Sequence, residues 1–153
     1  MSIDTSTEKA SVALTLNGDI RCEEQEVQRQ HARMLLPMID RLLADSGACL
    51  NQLDAIVYGC GPGSFTGLRI ACSVAKGLAY SHDLPLFPVS SLAAIANEVR
   101  VQNQLANDAA ILAVLDARMN QLYWACFAGD AKEGAEQVCH AADIHMSGEK
   151  ILF

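Results

Sequence analysis

The sequence predicts an α/β protein built from two similar lobes, and three observations carry that reading. Apolar runs of strand length alternate along the chain with segments of helical periodicity. One such run, residues 53–58, leads through a turn containing Gly59, Gly61, Pro62 and Gly63 into a helix rich in small residues. A strand that delivers an aspartate into a hairpin also occurs twice. Ile3-Asp4 precedes Val12-Ala13-Leu14, and Leu115-Asp116 precedes Tyr123-Trp124-Ala125, a pattern expected of a duplicated lobe.

Ile3-Asp4-Thr5-Ser6-Thr7 is a strand end entering a polar turn, and Val12, Leu14 and Leu16 alternate at period two as a second strand. Only two residues precede Ile3, which is short for a central strand, so residues are expected to be missing there. Asn17-Gly18 makes a tight turn into a third strand over 20–26. A helix follows over 30–45, with Gly47 at its C′ position. Met34, Leu35, Leu36, Met38, Ile39, Leu42 and Leu43 sweep roughly 200° of it, taking ~100° per residue. Pro37 removes a backbone bond inside this helix and predicts a bend or a late start.

Residues 53–58 form a buried strand, 64–80 a helix, and 84–89 a strand with Pro85 and Pro88 near its ends. Ser90 or Ser91 caps a helix running to residue 100. The first lobe is thus 1–100, followed by a polar linker over 101–108. The second lobe, 109–153, begins with strands over 111–115 and 122–127 joined through Asp116-Ala117-Arg118-Met119-Asn120. After Phe127 the chain reads as loop, and Ile151-Leu152-Phe153 looks like the beginning of another strand, so this lobe is expected to be truncated.

Eleven basic residues stand against eighteen acidic ones, for a net charge of −7. With no basic run, the chain lacks the clustered cations that grip nucleic-acid phosphates. No apolar run approaches the ~20 residues that span a bilayer, and no secretory leader opens the chain, so a cytoplasmic protein is expected. None of the six cysteines forms a C-x-x-C pair; they read as small buried hydrophobes.

The glycine turn is the natural place to look for a phosphate site, because helix N-termini attract anions. The strict patterns fail. No lysine follows a glycine as a Walker A loop requires, and the dinucleotide fingerprint would need glycine at Ser64 or Thr66. The centre of Gly63 to Gly67 is Phe65, so this is no nucleophile elbow. Gly61, Pro62, Gly63 and Ser64 therefore read as a structural turn. The helix beyond carries an apolar arc of roughly 220°, wider than one packing face needs. Its small ridge, Gly67, Ala71 and Ala75, would let another backbone approach closely. One side suits the domain's own sheet, and the other calls for a second helix from this chain or a partner. His31, alone at a helix start, reads as a capping or packing residue.

IDTSTEKASVAL, the H-x-x-x-LLPMID run from His31, GCGPGSFTGLRI, LPLFPVSSLAAIA and LDARMNQLYWA, in order from Ile3 to residue 127, resemble the TsaB (YeaZ) family. The resemblance implies an actin/Hsp70-like ATPase (ribonuclease H-like) fold of two pseudo-symmetric lobes. It implies a non-catalytic, degenerate paralogue that is an essential subunit of a transferase complex. That subunit supports a TsaD-like enzyme in threonylcarbamoyl transfer to adenosine 37 of tRNA, with a TsaE-like ATPase in the complex and tRNA met only indirectly. No membrane and no cofactor are implied. In nucleotide-binding members of the superfamily, glycine-rich hairpin turns hold the phosphates. Here Thr5-Ser6-Thr7 and Ala117-Arg118-Met119 lack glycine, which leaves Asp4 and Asp116 as weak candidates and makes hydrolysis unexpected. The H-x-x-x-H metal pair of the TsaD enzymes falls on Ser91 and Ile95, which hold no transition metal.

The resemblance also implies that helices 30–45 and 64–80 pair as a bundle with another copy or with the TsaD-like subunit. The contacts expected on that basis are His31, Leu35, Met38, Leu42, Gly67, Ile70, Ala71, Val74, Ala75 and Leu78. Two rival readings are a weak ATP-binding or ATPase protein using Asp4 and Asp116, and a scaffold whose homodimer is the working state.

Overall fold

The computed structural model describes residues 1–26, 30–106, 108–128 and 135–144. The strand expected at 151–153 lies outside them. Contacts divide the chain into two compact units, Met1–Val89 and from Ser90 onward.

The first unit is a five-stranded sheet built around its shortest strand. β1 (Ser2–Asp4) pairs antiparallel with β2 (Lys9–Leu16) and parallel with β4 (Ile56–Gly61), with Ile3 facing Val12 on one side and Tyr58 on the other. β3 (Asp19–Glu26) and β5 (Leu86–Ser90) complete the order β3-β2-β1-β4-β5. The period-two pattern appears as alternating burial: Ala10, Val12 and Leu14 lie in the core. β3, at the edge, is exposed at nearly every residue and carries Asp19, Glu23, Glu24 and Glu26. Asn17 and Gly18 adopt the left-handed backbone that a two-residue hairpin demands, with φ of 52° and 88°.

α1 (His31–Ser46) follows, ending in a left-handed Gly47 whose amide donates to the Ala44 carbonyl while Ala48 donates to Leu43. Pro37 sits within this helix, which starts six residues earlier at His31, so the late start is not observed. Leu35, Met38, Ile39, Leu42 and Leu43 are buried against the sheet. α1 packs on β2 and β3, and α2 (Phe65–Ser81) on β1 and β4. At the surface, Arg41 pairs with Glu23, whose hydrogen bond holds the guanidinium above its ordinary pKa.

The second unit opens with α3 (Ser91–Gln102), capped by the Ser90 hydroxyl, which accepts from the amides of Leu92 and Ala93. α3, expected at the end of a first lobe over 1–100, groups by its contacts with the second unit: Leu92 and Ala96 are buried with Ile111, Ala113, Ala125 and Phe127, on strands β6 (Ile111–Arg118) and β7 (Gln121–Phe127). β8 (Gln137–His140), in a region read as loop, pairs with β7, and Trp124 Nε1 donates to Cys139 Sγ at 3.1 Å. Its four residues are largely exposed, so no buried periodicity marks them. The cysteines also depart from expectation. Cys22, Cys49 and Cys60 are exposed and the other three are half-buried, so none lies in the core. No helix among the described residues is long and apolar enough to cross a membrane.

Leu35→Ala should lower unfolding stability by about 2–5 kcal/mol, the cost of an apolar cavity in a packed core. Urea titration followed by circular dichroism measures it, and a loss below about 1 kcal/mol would mean that this face of α1 is not the core.

Candidate functional site

The glycine turn and the β1–β2 turn are built against each other. β4 ends at Gly61, whose peptide bond to Pro62 is cis, and Ser64 caps α2 with its hydroxyl accepting from Gly67 N at 3.3 Å. Thr5, fully buried, donates its hydroxyl to the Gly67 carbonyl at 2.7 Å, and Ser64 N donates to the Ser6 carbonyl at 2.6 Å. A Cβ on Gly63 would stand 2.6 Å from the Ser6 carbonyl oxygen and 2.8 Å from Ser6 Cβ, and one on Gly67 would run into the Thr5 carbonyl. Both glycines therefore make room for polypeptide backbone. Thr5 and Ser6 pack against one side of the helix start, whose other side, at Ser64, Phe65 and Thr66, is exposed.

Asp4 belongs to the same construction. Its Oδ1 accepts from Ser6 N at 2.9 Å and from Ser6 Oγ at 2.7 Å, and its Oδ2 lies where a Cβ on Gly59 would be. Asp116 repeats the local geometry in the second unit, with Oδ1 accepting from Arg118 N at 2.7 Å. The duplicated strand–aspartate–hairpin pattern thus shares one bond, each carboxylate accepting from the amide two residues on. Tyr58, two strand residues before Cys60, has its phenol pushed up by burial and then by a hydrogen bond with Cys72. An open cleft of about 360 Å³ lies beside the first turn, lined by Thr7, Glu8, Lys9 and Glu26. No group of three or more His, Cys, Asp or Glu side chains able to hold a metal occurs among the described residues.

Most of the expected contact residues are turned toward the core of the first unit. His31, Leu35, Met38, Leu42, Gly67, Ala71 and Ala75 are buried within the first unit. Ile70, Val74 and Leu78 are half-buried and pack against its core. The small ridge faces the chain's own sheet, where Gly67 meets Thr5, so it brings α2 close to β1 rather than to a second helix. His31 Nε2 has no hydrogen-bond partner among the described residues.

The opposite arc of α2 is the exposed one. Phe65 is 68% and Tyr80 94% exposed, with Arg69, Ser73, Lys76 and Gly77 between them. The Arg69 guanidinium stacks over the Phe65 ring at 3.7 Å, and a Cβ on Gly77 would meet nothing within 4 Å. On α1 the exposed apolar residue is Leu36. The broad apolar arc expected of this helix did not single out Phe65, Arg69 or Tyr80. The available signal was the lack of any carboxylate across 55–82 in a chain with eighteen.

A family model described as "TsaD: tRNA N6-adenosine threonylcarbamoyltransferase" matches residues 24–151. Two curated relatives carry the description "tRNA threonylcarbamoyladenosine biosynthesis protein TsaB". The one from Haemophilus influenzae is 46% identical over 81% of this chain and 51% of its own length. The one from Escherichia coli is 40% identical over 97% of this chain and 68% of its own length. The chain therefore spans about half to two thirds of these proteins. A solved structure titled "YeaZ from Pseudomonas aeruginosa" aligns at a TM-score of 0.83 and 38% identity, covering 97% of this chain and 70% of that one.

Two glycines of α2 should respond oppositely to alanine. Gly67→Ala forces α2 off the Thr5 carbonyl and should cost about 3 kcal/mol or more, at the upper end for overpacking. Gly77→Ala fills open space in a helix interior and should stabilise by roughly 1 kcal/mol. Denaturation midpoints compare them, and similar midpoints would refute the seating of the turn.

Proposed function

Because this chain belongs to the TsaB (YeaZ) family, we propose that it is a non-catalytic subunit that binds a TsaD-like enzyme and supports threonylcarbamoyl transfer to adenosine in tRNA. The observation that carries the reading is the engaged β1–β2 turn. In a fold whose nucleotide-binding members would hold phosphate at their hairpin turns, Thr5 and Ser6 are buried and bonded to Gly67 and Ser64, and Asp4 is engaged by Ser6. What remains available is a surface. The outer arc of α2 presents Phe65 and Tyr80 with two cations and no carboxylate, a combination suited to an aromatic-anchored protein contact.

A subunit of this kind acts by binding the competent conformation of its enzyme more tightly than other conformations, which needs no chemistry of its own. The same α2 face would pair two copies of this chain when the enzyme is absent. A TsaE-like ATPase in the assembly is proposed from the family resemblance alone. The net charge of −7 supports tRNA being reached through these partners. The weak-ATPase alternative predicts ATP binding that is lost in Asp4→Asn.

Cells depleted of the protein should lose threonylcarbamoyladenosine from their tRNA and regain it on complementation. Complementation by Phe65→Asp or Tyr80→Asp should fail, with binding to the TsaD-like subunit weakened about tenfold or more and the melting temperature unchanged. An unchanged level of the nucleoside on depletion would overturn the proposal. Ala71→Arg is no substitute for these variants, because Ala71 is fully buried and the added charge would report on folding.

A further inference from the structure

We draw no further inference here: the strongest candidate, the face of the second sheet turned away from α3, with Val114 exposed and Leu112 and Leu122 half-buried, is an apolar surface, and nothing in the structure shows what covers it.

Discussion

The first unit depends on one close approach, that of the β1–β2 turn to the start of α2. Thr5 and Ser6 bond to Gly67 and Ser64 across about sixty residues of sequence, and the fit is possible only because Gly63 and Gly67 lack side chains. This contact ties a three-residue central strand to the helix that covers it. It places Ala71 and Ala75 against the sheet and so decides which arc of α2 faces outward. Asp4 is drawn in as the brace of the turn. A sequence feature that resembles an anion cradle is thereby a joint between two pieces of backbone.

Much of the fold was legible because local and long-range signals agreed. The alternation in β2, the Asn17-Gly18 turn, the Gly47 stop and the repeated strand–aspartate–hairpin all appear where their residues point. Residues whose role depends on a distant partner were not legible. Gly67, Ala71 and Ala75 form a ridge that fits a sheet or a neighbouring helix equally well, and only the position of Thr5 decides between them. The contacts of α3 were not legible for a similar reason: Leu92 and Ala96 are apolar on either side of a boundary, and the strands that bury them come later in the chain.

The two hairpin turns that follow the aspartates illustrate how a duplicated unit can diverge without losing its bonds. Both carboxylates accept from the amide two residues on. In the first unit Thr5 and Ser6 are buried, and the turn serves the interior. In the second, Arg118 and Met119 stand in solvent. An aspartate conserved in geometry is therefore weak evidence for a conserved task, since the same bond supports a joint in one unit and an exposed tip in the other.

β3 bears on how such a molecule can associate at all. An exposed edge strand offers a row of free backbone groups to any other strand, the route by which sheets polymerise. Here Asp19, Glu23, Glu24 and Glu26 outnumber Arg21 along that edge, so two copies meeting strand to strand would bring together two predominantly acidic edges. Among these carboxylates, Glu23 is paired with Arg41. At the sheet's other edge, β5 carries Pro88, which has no amide to offer an added strand. With both edges blunted, the helical faces of this unit are better suited than its strand edges to a specific partner.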